Sequence, residues 1–224
     1  MDEDLFSVHQ LRSRWKPFKE RVQNNSRYQP VCIRIHRAFS WLQRAEESKD
    51  SDLDQRLIFL WIGFNSLYGR WDRSRREPEP DGATIRELMK RIMMLDEERR
   101  ITELLNEQRE LILSIYADDY LANYFWETGR TASSVRRKVS SWYVEERFEL
   151  ILEKLIDRIY LLRCQLVHGA ATCGGKLNRD ALRICSMMLD QLVRVFLIII
   201  IDHGAEEDWG PLCYPPEGPT GLSS

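Results

Sequence analysis

Apolar residues recur along this chain at the three- and four-residue spacing of helix faces, and no stretch shows the two-residue alternation of a half-buried strand. Val31, Ile35, Phe39 and Leu42 mark a helix over 31–47 that follows Pro30. The polar segment 48–52 breaks that pattern and offers caps for the next helix. That helix, over 53–71, is apolar on most sides through Leu57, Ile58, Leu60, Trp61, Phe64, Leu67 and Tyr68. It therefore belongs in a core rather than on a surface. Residues 85–95 and 97–116 read as two helices, or as one broken near Asp96. A short aromatic helix is expected over 118–126. A long stripe from Phe148 through Ile151, Leu152, Leu155, Ile156, Ile159, Leu162 and Leu166 predicts a helix over 145–167, closed by Gly169. Leu182, Met188, Leu192, Val195, Phe196 and Ile199 predict the last one, over 178–201.

The intervening stretches are polar. Residues 69–82 carry four arginines and two prolines and read as a broken, charged loop. Residues 127–141 read as turn-like, with a basic cluster at Arg130, Arg136, Arg137 and Lys138. Such a cluster suits a solvated loop or contacts with phosphates. The expected fold is all-α, an antiparallel helical bundle with irregular N- and C-terminal extensions. Residues 1–29 read as one short helix or an arm packed on the surface, and the division is an arm over 1–30, a helical domain over 31–205 and a proline-rich tail over 206–224.

Composition narrows the classes. The 224 residues suffice for a sizeable core. A net charge of −2 supplies no global field towards nucleic acid, so RNA contacts must come from local patches. Five scattered cysteines without a Cys-x-x-Cys pair suggest a reduced, cytoplasmic protein. The acidic start Met-Asp-Glu-Asp has no apolar stretch behind it, which speaks against a secretory signal. The run 192–201 is about half the roughly twenty residues a membrane span needs. It also contains Arg194, so a buried core helix is expected and no membrane association.

Candidate chemistry gathers at the end of the 145–167 helix. Of four histidines, His168 is the one with an arginine five residues before it. An offset of five turns about 140° around an ideal helix and rises about 7.5 Å, so Arg163 and His168 do not share a face. They converge only if the helix end is distorted or a second copy of the helix completes the site. A purely structural account also exists, since cations near a helix C-terminus are favoured by the macrodipole. Asn65, inside the apolar 53–71 helix, is a buried amide that needs partners.

The stretch Arg163-Cys-Gln-Leu-Val-His168-Gly169 resembles the Arg-x4–6-His signature of the HEPN superfamily. Residues 61–69, 168–180 and 209–215 resemble a core helix, the post-motif loop and the tail of its ApeA-like group. The resemblance implies a HEPN-type bundle, a homodimer, and a ribonuclease of toxin or anti-phage defence type with an antitoxin or defence partner protein. Catalytic roles carry over to Arg163 and His168 alone. The family's usual asparagine after the arginine is Cys164 here, a role Gln165 could take over. Ala170 stands where one toxin branch carries a tyrosine that receives AMP.

These residue types suit metal-independent RNA cleavage without a cofactor. Histidine moves protons near neutral pH. Arginine presents a planar fork to phosphate oxygens. No carboxylate cluster accompanies the pair to hold two metals. Cys164, His168 and Cys173 as metal ligands lack a fourth member. Cys164 as a nucleophile lacks an orienting third group. The competing reading is a non-catalytic module that binds RNA, nucleotide or a partner protein in the same cleft.

Overall fold

A computed structural model of the chain describes residues 7–49, 51–122, 132–176 and 178–214. The described structure is all-α apart from one two-residue-stranded hairpin. Its helices are α1 (Val8–Val22), α2 (Gln29–Glu46), α3 (Leu53–Tyr68), α4 (Asp81–Leu95), α5 (Arg100–Glu107), α6 (Arg109–Ala117), α7 (Ala132–Val144), α8 (Phe148–Val167) and α9 (Arg179–Ile199). A π-helical turn, Ile200–Gly204, extends α9.

α9 is the centre of the fold and packs on α3, α4, α5, α6 and α8. The segment Arg179–Gly204 is 26 residues long and apolar enough to cross a membrane by length and composition alone, with 78% of its most apolar window buried inside the protein. That is more than the ten residues the sequence singled out, because Ala181, Leu182, Cys185 and Met188 extend the buried face backwards. Its one buried arginine, Arg194, donates to Asp190 at 2.8 Å and Glu46 at 2.9 Å, as a buried charge must.

Three segments differ from the pattern reading. Within the expected N-terminal arm, α1 is a 15-residue helix started by a capping box of Ser7 and Gln10. It buries Val8, Leu11 and Trp15 against the common core. Its stripe is interrupted by Arg12, Arg14 and Pro17, which leave a short helix and a surface arm as alternatives in the sequence. Residues 81–117 form three helices rather than two. The Asp96 carboxylate accepts from the backbone N–H groups of Arg100 and Ile101 at 2.9 Å each, which starts α5, and Gln108 kinks the chain before α6. The expected turn over 127–141 is in its second half the helix α7, anchored by Val139 and by Tyr143, whose hydroxyl donates to the Leu105 carbonyl at 2.9 Å. Residues 123–131, with Trp126 and Arg130, lie outside the described residues; of the expected aromatic helix, only a 3-10 turn, Asp119–Leu121, is described.

The loop after α3 folds into the hairpin, with β1 (Trp71–Asp72) antiparallel to β2 (Glu77–Pro78). The Asp72 carboxylate holds its tip by accepting from the backbone N–H groups of Ser74 and Arg75. The tail Asp208–Tyr214 lies against the end of α3. Trp209 donates its Nε1–H to the Gly204 carbonyl at 2.8 Å, and its ring packs where a side chain at 204 would be. Arg34, 2% exposed on α2, donates to Leu67, Gly69, Trp209, Gly210 and Pro211 carbonyls, and at 3.5 Å to Ser66. It caps the orphan carbonyls of α3 and fastens the tail in one stroke.

Candidate functional site: an arginine seated on two aromatic rings

The end of α8 is shaped by Gly169. The N–H of Ala170 donates to the Gln165 carbonyl at 2.8 Å and the N–H of Gly169 to Leu166 at 3.2 Å, the paired bonds of a Schellman closure. Gly169 takes φ +70°, a left-handed backbone that favours glycine. This places His168 at the helix cap, exposed, with an imidazole that has no hydrogen-bond partner among the described residues.

Arg163 lies on a different side. Its guanidinium carbon is 5.9 Å from the centre of the Trp61 ring and 5.8 Å from that of Tyr160, and those two rings are 5.6 Å apart. Cation–π attraction of this kind is worth about 0.5–2 kcal/mol per ring, more as water is excluded. Its Nη1 lies 3.9 Å from the Cys164 sulfur, a weak acceptor. Among the described residues, Arg34, Arg37, Arg56, Arg70, Arg91, Arg100, Arg158, Arg179 and Arg194 are also buried or half-buried, and each meets a carboxylate or a carbonyl. Arg163 meets no carboxylate or carbonyl oxygen among the described residues. A partly dehydrated cation whose one described acceptor is a sulfur suits an incoming anion.

The surroundings are rich in donors. Trp61 and Tyr68 are buried, and neither Trp61 Nε1 nor the Tyr68 hydroxyl has a hydrogen-bond partner among the described residues. Burial pushes the Tyr68 phenol up, Asp81 adds to that shift, and Arg163 opposes it. Asp81 is an electrostatic neighbour here rather than an acceptor with hydrogen-bond geometry. The Tyr160 phenol is also pushed up, first by burial, then by the adjacent Cys164 and by Asp81. A shallow recess lies beyond Tyr68, towards the tail, but its arginines are engaged: Arg70 pairs with Glu79 and Glu87.

The other sequence candidates separate. Gln165 is a strut: its Nε2 donates to the Tyr120 carbonyl at 2.8 Å and its Oε1 accepts from Asn178 at 3.2 Å. It ties α8 to the 3-10 turn and to the start of α9, so it does not replace asparagine beside Arg163. Asn65 is half-buried rather than buried, and its side chain lies against Gly69. It makes no side-chain hydrogen bond to the described residues, contrary to the expectation for a buried amide. Arg136, Arg137 and Lys138 sit on a helix, α7, and not on a loop. Arg136 pairs with Glu110 at 2.8 Å and Lys138 lies 5.8 Å over the Trp142 ring. Arg137 is exposed and meets no carboxylate among the described residues.

Within the described residues no group of three or more His, Cys, Asp or Glu side chains could hold a metal, so Cys164, His168 and Cys173 do not form a centre. Pattern reading missed Tyr160 and Asp81, and assigned Trp61 and Tyr68 only to the core. A signal existed for Tyr160, which stands three residues before Arg163 and four before Cys164, on the same helical side. Comparison of the chain with family models, with curated proteins and with solved structures returns no match.

Proposed function

We propose that the protein is a metal-independent endoribonuclease, a HEPN-type helical bundle acting as a homodimer in the cytoplasm in a toxin or anti-phage defence setting. The observation that carries this reading is Arg163, a half-buried guanidinium held on two rings with no oxygen acceptor among the described residues. Such a group is suited to the crowded, doubly charged phosphorane formed when a ribose 2′-OH attacks the adjacent phosphate. His168, exposed at the end of the same helix, supplies proton transfer. The two belong to different sides of α8, so a two-fold dimer brings Arg163 of one copy to His168 of the other. The exposed Arg137 and Lys138 of α7 would add phosphate contacts along the strand.

In the reaction the 2′-OH loses its proton, its oxygen bonds to phosphorus, and the 5′-oxygen leaves with a proton. The products carry a 2′,3′-cyclic phosphate and a 5′-OH, and DNA is inert. The test is cleavage of single-stranded RNA by the wild type, Arg163→Ala and His168→Ala, with and without EDTA. Each variant should lose about 10²–10⁴-fold, and EDTA should change nothing. Cleavage that survives both substitutions sinks the reading. The alternative, a non-catalytic module binding RNA, nucleotide or a partner such as an antitoxin, is favoured by one observation: Cys164, a weak acceptor, stands beside the arginine. A folded dimer that binds RNA without cutting it would decide for that alternative.

A further inference from the structure

Tyr160 and Arg163 stand three residues apart on α8 and so share a face. Their ring and guanidinium are 5.8 Å apart, and Trp61 backs both. Arg163 Nη1 reaches towards Cys164 Sγ at 3.9 Å. Burial raises the Tyr160 phenol first, and the same Cys164 thiol, four residues further along the helix, adds to the effect. Two strong donors, the Tyr160 phenol and the Arg163 guanidinium, thus stand side by side, and the acceptor that Arg163 reaches is a poor one. A thiol satisfies a phenol O–H or a guanidinium N–H far less well than an oxyanion does. Tyr160 is only half-buried, so a ligand can approach it from solvent. The carboxylate in electrostatic reach, Asp81, also bears on the buried Tyr68 behind this seat.

We infer that Tyr160 is a second phosphate ligand of this site, donating its phenol O–H beside Arg163, so that the phosphate-binding half of the site is complete within one chain. The inference deepens the proposed ribonuclease reading and rests on it for the identity of the anion. Phosphate oxygens take the place of the Cys164 sulfur as acceptor for Arg163 and accept from the Tyr160 O–H as well. His168 plays no part in this seat, which separates binding from proton transfer. Trp61 is a positioning residue that acts through Arg163.

The test is calorimetric binding of 2′,3′-cyclic AMP to the full chain, beside RNA cleavage by the same preparations. Tyr160→Phe keeps the ring under Arg163 and removes only the O–H. It should weaken binding about 10-fold, the usual order for a hydrogen bond to a charged group, with an unchanged melting temperature. Arg163→Ala should lose binding altogether. His168→Ala should bind within about twofold of wild type while losing cleavage, since it changes proton transfer and not the seat. Tyr160→His, which retains a ring N–H, covers the case in which the phenylalanine variant fails to fold, and should bind better than Tyr160→Leu. Equal affinity of the wild type and Tyr160→Phe overturns the inference while leaving the ribonuclease reading intact. Binding that depends on Tyr160 and Arg163 in a protein that cuts no RNA does the reverse. A wild type that binds no cyclic nucleotide overturns the inference as well.

Discussion

The guanidinium of Arg163 rests 5.9 Å over the ring of Trp61, a residue from a helix about a hundred positions earlier in the chain. Trp61 is 2% exposed, so this platform is part of the core and cannot drift. Trp61→Ala should cost about 3–5 kcal/mol of stability and release Arg163 from its seat. Trp61→Phe keeps a ring face and deletes a buried Nε1–H that has no acceptor. It should cost less than about 1.5 kcal/mol and preserve cyclic-nucleotide binding. Chemical denaturation paired with calorimetry checks both; a loss of binding in Trp61→Phe at unchanged stability would show that the indole N–H itself touches the ligand.

The separation of Arg163 and His168 on α8 makes a complementation experiment decisive. In a two-fold dimer with composite sites, co-refolded Arg163→Ala and His168→Ala chains form heterodimers with one intact site. Half of the dimers are mixed and each has one of two sites working, so about a quarter of wild-type cleavage should return. If Arg163 and His168 of the same chain act together, the mixture stays as inactive as its components. Sedimentation at micromolar concentration should show the dimer directly.

Gly169 holds the end of α8 with φ +70° and open space around its Cα. Gly169→Ala therefore meets no steric neighbour, and its cost is the backbone strain alone, about 1–2 kcal/mol. The cap that presents His168 loosens with it. Cleavage should fall while Arg163-dependent nucleotide binding stays, a split visible by comparing the two assays.

Arg34→Met would leave the carbonyls at the end of α3 and in the tail without their donor. Removing one partner of a buried charged network typically costs about 3–5 kcal/mol. The segment Asp208–Tyr214 should then become the first site of proteolytic nicking, read by mass spectrometry of limited digests. Burial lowers the Arg34 guanidinium to about 10, with Arg70 and Arg37 adding to the effect. Because the unfolded chain holds that proton more tightly, stability linked to Arg34 rises with pH only above about 10, so melting between pH 6 and 8 should not report it.

Asp118 gives a pH effect in the opposite region. Burial raises its carboxyl above the ordinary value of 3.8, although it caps the Tyr120 N–H at 2.9 Å. A raised carboxylate means that the unfolded chain releases its proton first. The protein therefore loses stability as pH rises from just below 3.8 through the folded value, and the loss is complete at neutral pH. Asp118→Asn keeps a capping oxygen without the charge. It should raise the melting temperature at pH 7 and gain nothing at pH 3; equal shifts at both values would refute the burial account.

Periodicity alone made α2, α3, α8 and α9 readable, because each turns one dense apolar face to the same core and its spacing follows from 3.6 residues per turn. The glycine stop after His168 was readable for a similar reason, since a left-handed cap is a local demand on one residue. For α1 the sequence leaves a short helix and an arm as alternatives, and α7 reads as turn-like, because arginines, serines and a proline dilute stripes as short as Val8, Leu11 and Trp15 or Val139 and Tyr143. Only burial by neighbours from elsewhere in the chain makes such short stripes sufficient. The 140° offset told that Arg163 and His168 part company on one helix. What each meets was beyond the sequence: Arg163 finds the face of Trp61, Gln165 finds the Tyr120 carbonyl, and Arg34 finds a tail 175 residues away. Helix period is set by the backbone of each segment, whereas the partner of a polar side chain is set by which distant segments the packed core brings within a few ångströms, and tertiary structure alone decides that.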